Sequence, residues 1–383
     1  YLRNALMKVL GLPSDRVRVI APPVGGGFGG KSDVFSHEIV AAKLAMDTQR
    51  PVKIVCSREE VFYLHRGRHP VLMKIRTGFT KDGRITAMHF RSVLDGGAYG
   101  SYGVASTYYT GVLQPTTYRI PAYKFEGVRV FTNKPPCGPK RGHGTPQPRF
   151  ALEAHLDKAA EELRLDPAEI RFRNLVRPFS MTVNHLRITS CGLRECMEKV
   201  IEASKFREKH GHLPRGRGIG LAVGAYLSGA SLPIWWNEDP HSEVEVRIEP
   251  SGHVTVSSMA SEIGQGSTSM LAFVVAEVLG LLPDEIEVIV ADTERTPVDL
   301  GSYSSRVTFM AGNAALAAAT RARQVVFDAA AQKLGVPSGR LVAKARRIQD
   351  KSNHRRGLAW KDAVATATSY GPITATGSYK PPK

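Results

Sequence analysis

The chain has 383 residues, with 52 basic against 35 acidic side chains for a formal charge of +17, and is 42% hydrophobic and 23% charged. At about 150 residues per domain that length carries two or three domains. The balance of a soluble globular protein excludes peptide hormones, disulfide miniproteins and large-scale disorder. The positive excess fits nucleic acid, a membrane surface, an acidic substrate or an acidic subunit, and alone it selects none of them.

Nothing in the sequence reaches the roughly 18 uninterrupted apolar residues of a membrane helix. The start lacks a signal peptide's apolar core, so no membrane span and a cytoplasmic location are expected. Cys56, Cys137, Cys191 and Cys196 form no CxxC pair and no dense disulfide framework, as in a reducing compartment. The chain does not begin with Met and stops at SYKPPK, so truncation at one or both ends is expected.

In chain order, residues 9–21 (VLGLPSDRVRVIA) read as a helix end, a Gly turn and a β-branched strand. The glycine loop GGGFGGKS follows at residues 25–32, then a helix over residues 32–46 and an alternating hairpin over 73–93 that turns at Asp82-Gly83. Residues 133–150 hold five prolines and three glycines, which predicts a stiff loop that fixes Arg141 beside Gly142. A helix is predicted over residues 149–163. Residues 181–216 are basic and punctuated by Gly and Pro, and are expected to be a linker.

Beyond it come a second hairpin over residues 242–261 turning at Ser251-Gly252, the loop SEIGQG, and a helix over residues 267–280. Residues 278–290 (VLGLLPDEIEVIV) then repeat the pattern of residues 9–21, with Gly280 and Asp284 in the places of Gly11 and Asp15. The serine-rich loop at residues 301–308 leads into an alanine-rich helix over 314–334, whose small side chains suit close packing. An α+β protein of two related halves is predicted, one copy of the repeat in each.

The glycine loop formally satisfies both GxxxxGK[ST] and GxGxxG. A P-loop hydrolase using residues 25–32 with Asp292 on magnesium is one alternative, although Pro22 and Pro23 interrupt the strand such a loop requires. A basic nucleic-acid-binding protein is another. Cys137 and His143 offer a nucleophile and a base with no third group to orient them. Three anion-friendly loops in one chain favour a large phosphate-bearing ligand.

Taken together, VGGGFGGK (residues 24–31), GRHP (67–70), KRGHG (140–144), DPAEIRFRN (166–174), EIGQG (262–266) and ATGSY (375–379) resemble the molybdopterin-binding large subunit of the molybdenum hydroxylase family, the xanthine dehydrogenase and aldehyde oxidase group. The resemblance implies two molybdopterin-binding subdomains, residues 1–180 and 217–383, with the cofactor between them and the second subdomain C-terminally incomplete. It implies that Gly27, Phe28 and Gly29 pack at the molybdenum centre. Gln265, flanked by Gly264 and Gly266, would lie beside the pterin, and Ser304, Ser305 and Arg306 near its phosphate. Arg141 would steady the substrate. Molybdenum is held through the pterin dithiolene, so no protein metal ligand is expected, and the cytosine dinucleotide form of the pterin stays open.

The resemblance also implies [2Fe-2S] and FAD carriers on an iron-sulfur subunit and an FAD subunit, a higher-order oligomer, and a small-molecule or CoA-thioester substrate that is aromatic, N-heteroaromatic or an aldehyde. The family's general-base glutamate sits in a Gly-Glu-Pro-type motif, and none follows Ser305. An internal fragment or one piece of a split subunit, inactive alone, is therefore expected. Gly142 stands where carbon monoxide dehydrogenases carry cysteine. The stretch from Pro297 to Ala314 looks most like the 4-hydroxybenzoyl-CoA reductase branch, which removes a ring hydroxyl.

Overall fold

The computed structural model describes residues 1–229 and 241–381. The chain packs into two units that interleave along the sequence. The first comprises Tyr1–Gly27, Val34–Ile54 and Leu227–Lys383, and the second Phe28–Asp33 and Val55–Tyr226. The chain thus leaves the first unit at Gly27, returns at Val34 and leaves again after Ile54.

In the first unit a four-stranded sheet runs in the order Ile373–Tyr379, Ser242–Ile248, Val254–Ser258, Ile286–Val290. The first two pairings are antiparallel and the last parallel. Strand Ser242–Ile248 alternates buried and less buried residues, placing Val244, Val246 and Ile248 in the core. The helix Ser267–Leu279 makes the crossover between the two parallel strands. The predicted alanine-rich helix spans Val307–Leu334 and buries Ala311, Ala314, Ala315, Ala318, Ala319 and Ala322 completely. Its approach to the sheet is close enough that a Cβ on Gly377 would lie 2.1 Å from the Ala314 carbonyl oxygen. That contact accounts for the glycine of ATGSY.

The second unit repeats the hairpin–helix–parallel-strand order. Strands Val71–Phe79 and Ile85–Asp95 pair antiparallel, the helix Gly103–Val112 crosses over, and Ala122–Val130 pairs parallel with the second strand. Leu152 and Leu156 of helix Pro146–Leu163 pack with Ile85, Met88 and Tyr118. A buried ionic cluster backs this core. Arg171, fully buried, donates from Nε to Glu153 Oε2 at 2.8 Å and from Nη1 to Asp157 at 2.8 Å, and the Tyr118 hydroxyl donates to Glu153 Oε1 at 2.8 Å. The DPAEIRFRN motif is explained by these contacts. Asp166 caps the helix Pro167–Asn174 through the amides of Ala168 and Glu169, and Asn174 accepts from the Ile85 amide while donating to Gly83 O, which fixes the hairpin turn.

Three expectations are corrected here. Both copies of the repeat lie in the first unit, not one in each half: each ends a helix at a left-handed glycine, Gly11 or Gly280, and enters a 3₁₀ turn. They meet through a bridge between Ile20 and Asp292, with the Ala21 amide donating to Ala291 O. Residues 181–216 are not a linker, because the helix Leu193–Ser204 and its neighbour Phe206–Lys209 bury Met197 and Phe206 in the second unit's core. The β-branched strand predicted at the end of residues 9–21 is reduced to that single bridge, and Pro22 and Pro23, which lack backbone donors, keep it from extending. Among the described residues no helix is long and apolar enough to cross a membrane.

Candidate functional site

The GQG loop opens the crossover helix of the first unit. Gly264 (φ 94°) and Gly266 (φ 79°) take left-handed backbone that a side chain would strain. Between them the Gln265 carboxamide accepts from the Ile263 amide at 2.7 Å and donates to Ser261 O at 3.1 Å, which fixes its orientation and leaves one Nε2 hydrogen for a ligand. Glu262 closes the loop from within, accepting from the amides of Gly264 (2.8 Å), Gly266 (3.1 Å) and Thr268 (3.1 Å) and from the Ser267 hydroxyl (3.2 Å). Burial works against its charge, but the Thr268, Gly266 and Gly264 amides outweigh it and hold the carboxyl down at about 2.

Residues 25–27 run beside this loop. A Cβ on Gly27 would lie 3.6 Å from Ile263 Cδ1, and one on Gly264 would lie 3.9 Å from Val24 O. The two glycine segments therefore lie side by side, with the Ile263 side chain packed on Gly27. In the serine-rich loop Ser304 (φ 52°) and Ser305 (φ 51°) are both left-handed, a conformation held by bonds from the Gly229 amide to Ser304 O and from Ser228 Oγ to Ser305 O. Arg306 points the other way. Its fully buried guanidinium donates to Asp299 Oδ1 and Gly301 O at 2.8 Å each, and also to His241 O. The expected direct contact of Arg306 with a phosphate is corrected on that ground: this side chain braces the loop that presents the serines.

In the second unit Phe28 (φ 51°) is 56% exposed, so the aromatic of the glycine loop stands free of the core. Lys140 lies over its ring at 5.9 Å. Gly29 is required by close approach, since a Cβ there would come within 2.8 Å of the Pro139 carbonyl. The Arg141 amide donates to Phe28 O at 2.8 Å, and Arg141 O accepts from Arg68 at 2.6 Å. This backbone clamp brings Phe28, Gly29 and Arg141 together and leaves the Arg141 side chain exposed.

His143, two residues on, bonds to Ser106 Oγ at 2.7 Å, and burial pushes it down to about 4, against the pull of the Tyr102 carbonyl. His69 is likewise held to about 4 by burial and by the neighbouring Arg129 guanidinium. Both imidazoles are neutral scaffold at neutral pH.

The alternatives lose their geometry. A P-loop needs a helix that starts at its Lys-Ser, whereas the next helix, Ser36–Thr48, begins beyond Asp33, and Asp292 is ion-paired to Arg18 at 2.6 Å. Cys137 is buried against Arg68 O, and burial raises its thiol, so it makes no nucleophile with His143. Among the described residues no group of three or more His, Cys, Asp or Glu side chains is placed to hold a metal. Sequence reasoning missed Glu262 and Arg68. The signal for Glu262 was present, an acid just ahead of a glycine turn and of the Ser-Thr that starts a helix.

A molybdopterin cofactor-binding domain model matches residues 1–175, and a second one matches residues 196–383. The xanthine dehydrogenase molybdenum-binding subunit of Escherichia coli O157:H7 is 34% identical over 350 residues, covering 87% of this chain and 45% of that protein. The nicotine 6-hydroxylase large subunit of Paenarthrobacter nicotinovorans is 30% identical over 349 residues, covering 87% of this chain and 43% of that protein. Quinoline 2-oxidoreductase from Pseudomonas putida 86 superposes with a TM-score of 0.86 at 26% identity, covering 98% of this chain and 51% of that one. The chain spans about half the length of the relatives it matches. With two cofactor-domain matches along its length and a third of its aligned residues shared with a molybdenum-binding subunit, this chain belongs to the xanthine dehydrogenase family of molybdenum oxidoreductases.

Proposed function

We propose that this chain is the molybdopterin-holding portion of a molybdenum hydroxylase that places oxygen from water on an N-heteroaromatic ring. The observation that carries the reading is the presence of both cofactor-domain matches on one chain whose loops offer glycine backbone, a fixed carboxamide and hydroxyls. That donor set fits a pterin, a planar polar ring with a phosphate tail. The ring class follows the names of the relatives, which speak of xanthine, nicotine and quinoline.

Gly27, Gly264, Gln265 and Gly266 hold the cofactor from the first unit, with Ser304 and Ser305 at its phosphate end. Within the other unit Phe28 and Gly29, clamped to Arg141 by the backbone, are the cofactor-binding candidates. When bound, the molybdenum on the pterin dithiolene supplies the two-electron redox chemistry. Arg141, exposed on a stiff loop that its own amide ties to Phe28 O, orients the substrate and stabilises negative charge developing on it.

The general-base glutamate comes from polypeptide other than these residues, and iron-sulfur and FAD subunits carry the electrons away, in a cytoplasmic complex. A formal charge of +17 on this chain suits acidic partner subunits. Ring dehydroxylation, the reading drawn from residues 297–314, is the second outcome the same assay separates, as loss of a ring hydroxyl in place of its gain.

The test is to isolate the protein with its partners from its host, assay molybdenum and pterin per chain, and incubate it with quinoline, nicotine or xanthine in ¹⁸O-labelled water. Stoichiometric molybdenum, pterin and ¹⁸O in the hydroxylated product are expected. Magnesium-dependent ATP binding without molybdenum, or salt-sensitive retention on DNA without either, would overturn the reading.

A further inference from the structure

We propose that Glu262 is the positioning residue of the Gln265 loop: its carboxylate fills the amide cradle at the start of helix Ser267–Leu279, so that Gln265, not the helix terminus, meets the ligand. The proposal rests on the cofactor reading above.

Successive free amides at the start of a helix ordinarily draw a phosphate or sulfate. Here that position is taken by the chain's own charge. One oxygen of Glu262 accepts from the Gly264 and Gly266 amides, and the other accepts from the Thr268 amide and from the hydroxyls of Ser267 and Thr268, each at 3.2 Å or less. The two left-handed glycines wrap the loop around the carboxylate and throw Gln265, the residue between them, outward.

With its oxygen on the Ile263 amide and its nitrogen on Ser261 O, the carboxamide cannot swap ends without losing both bonds. The loop is therefore a neutral reader with a single fixed N–H, suited to the edge of a pterin ring. The anionic end of the cofactor is left to the Ser304 and Ser305 loop. Glu262 touches no ligand in this scheme and acts through Gln265.

The test compares wild type, Glu262→Ala and Glu262→Gln in the complete protein purified from its host. Three readouts are taken: amide exchange over residues 263–268, pterin and molybdenum retained per chain, and the response of both to added acetate. Glu262→Ala is expected to speed exchange of these amides about tenfold or more, as loss of charge-assisted bonds implies, and to shed pterin. Acetate, seated in the vacated cradle, restores both in Glu262→Ala and changes neither in wild type. Glu262→Gln, which brings a donor where acceptors are needed, is expected to lose pterin while the rest of the chain stays protected; this variant carries the test if the alanine variant does not accumulate.

Wild-type exchange at residues 264–268 in the variants would overturn the proposal. So would faster exchange with full pterin retention, or losses in Glu262→Ala that acetate does not reverse. A wild-type protein without molybdopterin would instead overturn the cofactor reading, and the exchange and acetate results would still decide whether Glu262 holds the loop.

Discussion

In the first unit the loop that enters the crossover helix is gathered by an anion, Glu262, which collects backbone amides. In the second unit the loop at the same topological place is gathered by a cation. Arg129 donates to the carbonyls of Gly96 (2.9 Å) and Tyr99 (3.2 Å), and to His69 Nε2 at 3.1 Å. Gly96 and Gly103 make room for it, since a Cβ on either would lie within 2.4 Å of its guanidinium group. The backing differs too: steric contact of an alanine-rich helix on the first sheet, and the buried Arg171–Glu153 pair behind the second. A shared order of strands and helix sets where a loop stands, and the residues within it set what charge it can receive.

The contrast breaks most severely at Arg171. Arg171→Ala strands Glu153 in the core and is expected to cost about 3–5 kcal/mol in denaturant unfolding, whereas replacing both partners with methionine costs far less. Equal losses from the single and double variants would show that charge is not what backs this sheet. Arg129→Ala should cost about 1.5–3 kcal/mol, with faster amide exchange confined to residues 96–103. In the first unit Gly377→Val is expected to cost about 1–3 kcal/mol by overpacking, read as a lowered thermal midpoint; an unchanged midpoint would mean that the helix gives way freely.

The smallest effect is a staggered response to acid. His143 and His69 have folded values of about 4, below the ordinary 6.5, so their contribution is present above pH 6.5 and is lost as pH falls towards 4. Glu262 has a folded value of about 2 against an ordinary 4.5, so its contribution is present above pH 4.5 and is lost as pH falls towards 2. Hydrogen exchange at stepped pH should loosen the loop around His143 before the loop around Glu262, and the reverse order would undo the assignment.

The hairpins, the main helices and the α+β class were legible because Asp82-Gly83 and Ser251-Gly252 turn tightly and the apolar residues keep their period. The cofactor family was legible from short motifs scattered along the chain. Arg306 misled because sequence shows a cation beside two serines and cannot show that its guanidinium turns inward to Asp299. Residues 181–216 misled because their charges lie on the outside of short helices whose few apolar residues, Met197 and Phe206, do the packing. The placement of the repeat was hidden because its copies pair through one bridge, a long-range contact that leaves no periodic signature.

The interleaving of the two units sets an order of birth. Residues 1–27 and 34–54 leave the ribosome well before residues 227–383, against which they pack. They must wait while residues 55–226 are made, on the order of ten to thirty seconds at ordinary synthesis rates. The second unit holds nearly all its own residues in that interval and can close first. A gene cut between the two family matches, at residues 176–195, would therefore not yield two self-sufficient proteins. Its N-terminal product would carry two segments whose packing partners were encoded in the other piece.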